Sequence, residues 1–194
     1  GGPRKTLTKS RRTRSCIVQS KYTDALVDFA LGARFDDLPG TVRHASKRVL
    51  LDTVGCATAG LDTGIGRLLA QLKLRQGGVP EAILFSSGKR LPAASASFVH
   101  AQAANAMDAD ETLLHRSHFA CAIVLPALAF AEKLGTSGKD LLAACAVGFD
   151  IASRVNLALP LYDVTGANEV KMVRIHGYSA AVFGAAAAVG RLLG

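Results

Sequence analysis

Apolar residues recur at helical spacing along most of the chain. After Thr41, apolar side chains appear every three to five positions as far as Gly60, which is typical of an amphipathic helix. Similar patterns predict further helices over residues 24–31, 64–75, 92–107, 120–134, 139–157 and 179–193. Glycine and proline punctuate the segments between them. The pattern therefore predicts an all-α bundle of about six to eight helices.

Extended structure is favoured at only one place in the body. Residues 82–85 form a short apolar run, and a Ser-Ser-Gly-Lys stretch follows, which predicts half of a small hairpin near residues 82–91. Residues 159–175 contain Pro160 and Gly166 and are predicted to be irregular. The expected fold therefore contains at most one small β-hairpin.

The segment 179–193 is almost wholly apolar, and such a helix needs burial on several sides. Little sequence follows it, so we expect the chain to be incomplete. The alternative is that the preceding helices suffice to bury it.

The net charge of +8 belongs to the N-terminus and not to the body. Seven of the 23 basic residues precede Tyr22, and removing them leaves 16 basic against 15 acidic residues. Aromatic residues are also not interleaved with basic ones, so we predict no nucleic-acid partner. Residues 1–22 are interpreted as a disordered basic tail or extension. The alternatives are a mitochondrial transit peptide and a polyanion-binding tail.

The cysteine pattern and the hydropathy indicate a cytoplasmic protein that does not cross a membrane. The four cysteines show no CxxC spacing, so we predict reduced thiols, three of them in apolar surroundings. The sequence contains no uncharged apolar run of 18 residues and no secretory signal. The cysteines are Cys16, Cys56, Cys121 and Cys145.

A polar segment between two apolar helices carries most of the candidate chemistry. Carboxylates and imidazoles in a loop held by core helices are typical of acid–base sites, although a solvated loop with a capping Asp is the alternative. The candidate side chains are Asp108, Asp110, Glu111, Thr112, His115, Arg116 and His118.

His176 is the second candidate imidazole. It follows Arg174 and comes just before the last helix, whose first backbone amides would favour an anionic group. The alternative is a capping or core histidine.

The same polar segment also contains residue types that bind metal ions. Asp108, Asp110, His115 and His118 are possible ligands, but no HExxH-type framework accompanies them. We therefore predict a metal-free acid–base site without a cofactor.

Five blocks of the chain, in order and at fitting spacing, resemble the MmgE/PrpD family, which contains 2-methylcitrate dehydratase and cis-aconitate decarboxylase. The first block fits the pattern D-x-x-G-C-x-x-A-G, and the third, Asp108-Ala109-Asp110-Glu111-Thr112, is similar to D-F-D-D-T followed six residues later by His. The blocks are residues 52–60, 88–93, 107–118, 138–150 and 174–194.

The resemblance implies a mostly helical domain, a separate α/β lid domain and a homodimer. It also implies an active site between the domains that needs no cofactor and takes small di- or tricarboxylates. Residues 23–194 are then an incomplete helical domain without the lid, and the family's catalytic lysines lie beyond Gly194. We therefore expect this chain alone to be inactive.

Carried over by position, the resemblance implies catalytic roles for Asp108, Thr112, His118 and His176. Either histidine would move the proton while the other, with Thr112, orients the substrate, and Asp108 would fix an imidazole tautomer or hold the loop. The residues predicted to bind substrate are Arg116, Arg174 and His115.

The predicted reaction is dehydration of 2-methylcitrate in propionate metabolism, by proton abstraction next to a carboxylate. The alternatives are cis-aconitate decarboxylation, isomerisation, a catalytically inactive scaffold or dimerisation domain of the same family, and a metal-dependent hydrolase. The sequence departs from the family pattern at several positions, which are His100, Ala101, Asn105, Ala109, Glu111, Phe119 and Gly177.

Overall fold

The computed structural model describes residues 21–112, 117–159, 162–167, 169–172 and 178–194. Over these residues the fold contains seven α-helices, one 3₁₀ turn and two short antiparallel hairpins. The elements in chain order are α1 (Lys21–Gly32), the 3₁₀ turn (Phe35–Asp37), α2 (Gly40–Gly60), α3 (Gly64–Gln76), β1 (Ala82–Ile83), β2 (Arg90–Leu91), α4 (Ala93–Asn105), α5 (Ala120–Leu134), α6 (Gly138–Ala158), β3 (Tyr162–Gly166), β4 (Glu169–Met172) and α7 (Tyr178–Leu193).

The predicted all-α class is confirmed, and local signals explain several of the helix ends. The side chain of Thr63 accepts a hydrogen bond from the backbone N–H of Gly66 at the start of α3. Ser137 does the same for Asp140 at the start of α6. Such caps satisfy backbone donors that have no partner within the helix. Gly135 ends α5 in the left-handed conformation, with φ of 64°.

The largest core cluster lies where α5, α6 and α7 meet. Gly148 on α6 and Gly184 on α7 face each other so closely that a Cβ added at either would lie 2.6–2.8 Å from the other's carbonyl oxygen. Ile123 on α5 closes the same contact. A Cβ at Gly148 would also meet Ala188, and one at Gly184 would meet Ala152, so α6 and α7 run antiparallel where they cross.

Hydrogen bonds, an ion pair and a ring stack join the first hairpin to α4 and α5. The backbone N–H of Phe85 donates to Nε2 of His100 at 3.2 Å, and the two rings stack with centroids 3.8 Å apart. Glu132 on α5 accepts from the N–H of Ile83 and pairs with Arg90 at 2.8 Å. Burial lowers the pKa of His100 to about 4, so this imidazole is neutral and has a structural role.

The structure contains two small hairpins, whereas the sequence predicted at most one. β1 and β2 pair antiparallel within the predicted segment 82–91. The second hairpin, β3–β4, lies in residues 159–175, which were predicted to be irregular. Gly166 was interpreted as a breaker of structure, whereas it ends β3 at the turn into β4.

Helix α6 is long and apolar enough to cross a membrane by length and composition. The core helix of a soluble protein passes the same test, so this evidence is weak. Ten of its residues are buried, and it packs between α5 and α7. We interpret α6 as a core helix.

Helix α7 is only partly covered by the described residues. Its small residues Ala180, Ala181 and Ala188 are buried, whereas the exposed fractions of Val182 and Phe183 are 67% and 55%. Together with α1 and α6, the exposed side of α7 lines an apolar groove of about 310 Å³. The sequence predicted a helix that needs burial on several sides. Among the described residues, one apolar face of this helix remains exposed.

Candidate acid–base site

The site is built on the short loop that joins the end of α4 to the start of α5. Helix α4 ends at Asn105, and the backbone N–H of Asp108 donates to the carbonyl of Asn105 at 3.1 Å. Asp108 has a φ of 51°, a left-handed conformation that Asp tolerates better than most residues. This turn lets Asp108 and Asp110 approach one imidazole from different sides.

His118 lies between two carboxylates of this loop. Its Nδ1 is 3.1 Å from Oδ1 of Asp110, and its Nε2 is 3.7 Å from Oδ1 of Asp108. The side chain of Asp110 is fully buried, that of His118 is 22% exposed and that of Asp108 is 85% exposed. The imidazole therefore has one ring nitrogen directed into the protein and one towards the exposed side of the loop.

Asp110 is the closer partner of His118, although the sequence had assigned the tautomer-fixing role to Asp108. The amide of Asn105 lies 3.4 and 3.5 Å from the two carboxylate oxygens of Asp110 and is oriented to donate to them. A buried carboxylate requires such partners. Asp110 was recognised in the sequence as part of the polar cluster but was not placed among the catalytic residues.

Glu111 holds the start of α5 from outside the helix. Its Oε1 accepts hydrogen bonds from the backbone N–H groups of Phe119 and Ala120, at 2.6 and 2.8 Å. Anionic acceptors are favourable at a helix N-terminus. Since His118 immediately precedes these two residues, Glu111 also fixes the backbone that carries the imidazole.

Burial raises the pKa of Glu111 to about 7 and outweighs its backbone hydrogen bonds, which lower that pKa. Neighbouring Asp110 adds to the increase, and His118 opposes it. The folded state thus binds the Glu111 proton more tightly than the unfolded chain does. The stabilising contribution of this proton is complete below about pH 4.5 and is lost as the pH rises through about 7.

We therefore expect Glu111→Gln to remove this pH dependence. The neutral amide keeps an oxygen for the two N–H groups but cannot ionise. The free energy of unfolding of the variant, relative to that of wild type, should be about 1–3 kcal/mol higher at pH 8 than at pH 5. Urea denaturation followed by circular dichroism at both pH values measures this difference.

The exposed Glu169 on β4 provides the matched control for this experiment. Glu169→Gln should leave the difference from wild type unchanged between the two pH values. If the free energies of unfolding of wild type and Glu111→Gln changed equally between the two pH values, the Glu111 carboxyl would not titrate in this range.

A groove beside the loop adds a cation that the sequence prediction missed. It has a volume of about 610 Å³ and is lined by Glu111 and by one face of α2, including Arg48, Leu51 and Asp52. Arg48 lies four residues before Asp52, which begins the first family-like block, and this helical spacing was the available signal. A guanidinium here is suited to binding a carboxylate.

The structure describes only one of the other predicted site residues. Thr112 is exposed at the end of the same loop. Four predicted site residues lie outside the described residues, namely His115, Arg116, Arg174 and His176. Helix α7 begins at Tyr178, two residues after His176 in the sequence. The prediction that His118 and His176 share one cleft therefore stays a prediction.

Three residues of the loop are also of the types that bind metal ions. Asp108, Asp110 and His118 each offer one ligand atom, and these atoms lie within 4.8 Å of one another. The two carboxylates, however, approach opposite nitrogens of the ring, which is typical of a hydrogen-bonded imidazole and not of three ligands converging on one ion. We therefore favour acid–base chemistry, and stoichiometric zinc or iron in the purified protein would contradict that choice.

The described thiols are unsuited to nucleophilic chemistry. Burial raises the pKa of both Cys121 and Cys145 to about 12, and it also raises the pKa of Cys56. All three are free thiols, and Cys121 and Cys145 are buried as predicted, whereas Cys56 is only half-buried. Cys16 lies outside the described residues.

The fold and the site together define a helical domain that presents a carboxylate-held imidazole at one end of its bundle. Residues 24–194 match the model of the MmgE/PrpD N-terminal domain, and the chain belongs to the MmgE/PrpD family. Human cis-aconitate decarboxylase is 30% identical over 184 residues, which is 92% of this chain and 37% of that protein. The mouse cis-aconitate decarboxylase is 27% identical over 144 residues, 72% of this chain and 30% of that protein. The chain thus spans about a third of the length of the relatives it matches.

Proposed function

We propose that this chain forms one wall of the active site of a lyase that acts on a small di- or tricarboxylate. The arrangement of His118 carries the proposal, because a buried carboxylate holds one nitrogen of the imidazole and leaves the other directed towards the exposed side of the loop. An imidazole held in this way can exchange a proton with a substrate.

Membership of the family supports a lyase-type role, and the activity for which both relatives are named favours decarboxylation of cis-aconitate as the specific reaction. Dehydration of 2-methylcitrate, the reaction predicted from the sequence, is the second candidate. Neither relative carries that name, so this reaction depends on the motif resemblance alone.

Both reactions require a proton to move between the protein and a substrate carbon. In decarboxylation, the C–C bond breaks, CO₂ leaves, and the electron pair that remains on carbon takes up a proton. In dehydration, a C–H proton is removed and a C–O bond breaks. The charge that develops next to the carboxylates is stabilised by nearby cations, and Arg48 is the described cation that lines the adjoining groove.

Three further expectations stay proposals. They are a homodimer, a cytoplasmic location, and an active site that is completed by a lid domain and its catalytic lysines. The exposed apolar groove between α1 and α7 supports a contact with further protein surface.

The test is a substrate panel with the full gene product that contains this sequence. CO₂ release from cis-aconitate, and formation of the new double bond from 2-methylcitrate or citrate, are measured in parallel. We expect turnover of at least one of these acids. A well-folded full-length protein that turns over none of them would favour the inactive-scaffold alternative.

A further inference from the structure

We propose that Asp110 is a positioning residue that fixes the tautomer of His118, so that Nδ1 carries the hydrogen and Nε2 exchanges the proton with the substrate. The catalytic meaning of this inference rests on the proposed function, whereas the tautomer itself can be measured independently. The inference starts from two distances, 3.1 Å from Asp110 to Nδ1 and 3.7 Å from Asp108 to Nε2.

The charge of Asp110 determines which ring nitrogen carries the hydrogen. An ionised carboxylate oxygen 3.1 Å from Nδ1 attracts an N–H group and repels a lone pair, so Nδ1 is the nitrogen that carries the hydrogen. In a neutral imidazole, the other nitrogen then carries the lone pair. The distance from Nε2 to Asp108 exceeds that of a hydrogen bond, so Asp108 does not impose the opposite tautomer.

Asp110 is itself held in place, which a positioning residue requires. Its side chain is fully buried, and the amide of Asn105 is oriented to donate to its carboxylate. The thiol of Cys121 lies against the same carboxylate; burial is the main cause of its raised pKa, and Asp110 contributes to it. These contacts leave Asp110 little freedom to turn away from His118.

The contacts of Asp110 also predict the effect of replacing it with Asn. The new side chain carries no charge, and its amide can present either the oxygen or the NH₂ group to Nδ1 of His118, because the amide of Asn105 lies at 3.4 and 3.5 Å from the two carboxylate oxygens and is close to both. The preference for a hydrogen on Nδ1 is then lost. We therefore expect Asp110→Asn to shift part or all of the hydrogen from Nδ1 to Nε2.

The experiment is ¹⁵N NMR of the protein with ¹⁵N-labelled histidine, at a pH where His118 is neutral. Wild type should show a protonated Nδ1 and an unprotonated Nε2 for His118. Asp110→Asn should invert or mix the two signals, and Asp110→Ala should give a mixture of tautomers. Asp108→Asn is the matched control for the tautomer, because it alters the carboxylate beside the other nitrogen, and it should leave the pattern unchanged.

Two results would overturn the proposal, namely a wild-type protein with the hydrogen on Nε2 and a folded Asp110→Asn variant with the wild-type pattern. If the variants do not fold, the wild-type spectrum alone decides. In the full gene product, Asp110→Asn should lower kcat by about 10²- to 10⁴-fold with little change in KM. A wild-type enzyme that shows the expected tautomer but turns over no acid of the panel would contradict the proposed function and leave the role of Asp110 standing.

Discussion

Replacing His118 with Asn in the full gene product is expected to lower kcat by about 10²- to 10⁴-fold, the usual contribution of a positioned general acid or base. Asn keeps a polar group near Asp110 but cannot take up a proton. The loss should appear in kcat and in kcat/KM alike, because the interaction that is removed operates in the transition state. Steady-state kinetics on the substrate that the panel identifies measure this effect.

The control for this substitution is His44, an exposed histidine on α2 that contributes to no feature of the site. His44→Asn should keep wild-type kcat. Thermal unfolding of both variants separates a loss of chemistry from a loss of fold. If His118→Asn retained wild-type kcat, the imidazole would not be the proton-transferring group and the proposed mechanism would be wrong.

The second large effect is expected from Gly60→Ala. Gly60 ends α2 where it crosses α4, and an added Cβ would collide with the backbone carbonyl of Ala103. Backbone atoms on both sides cannot move aside as a flexible side chain can, so we expect a loss of more than about 3 kcal/mol in the free energy of unfolding. Urea denaturation of wild type and variant provides the measurement.

Gly55 is the matched control because it lies on the same helix and in the same family-like block. A Cβ added at Gly55 would meet no atom within 4 Å. Gly55→Ala should therefore stabilise the protein by up to about 1 kcal/mol, since Ala is the better helix former. Equal effects of the two substitutions would mean that the α2–α4 crossing is not as close as described.

The helices were predictable from the sequence because apolar side chains repeat at a spacing that few other structures share. Helix α2 was predicted over residues 41–60 and is observed at Gly40–Gly60, and α5 agrees at both ends. The β3–β4 hairpin was not predicted, because short strands separated by Gly166 differ little in sequence from an irregular segment. Local pattern alone could not decide between these possibilities.

The site was predictable in composition but not in geometry. The polar loop and His118 were identified from residue types and motif spacing. The choice between Asp108 and Asp110 depends on the left-handed backbone at Asp108 and on the burial of Asp110, and neither feature follows from spacing. Arg48 was missed because a cation on a helix distant in sequence approaches the loop only after folding.

The most direct test of the central claim is the position of a bound tricarboxylate in a crystal structure of the full gene product. The account predicts that a substrate carbon or carboxyl group lies within about 3–4 Å of Nε2 of His118, the reach that proton transfer requires. It also predicts that the ligand extends into the groove beside Arg48. A tricarboxylate bound elsewhere, with His118 out of its reach, would contradict the assignment of the site.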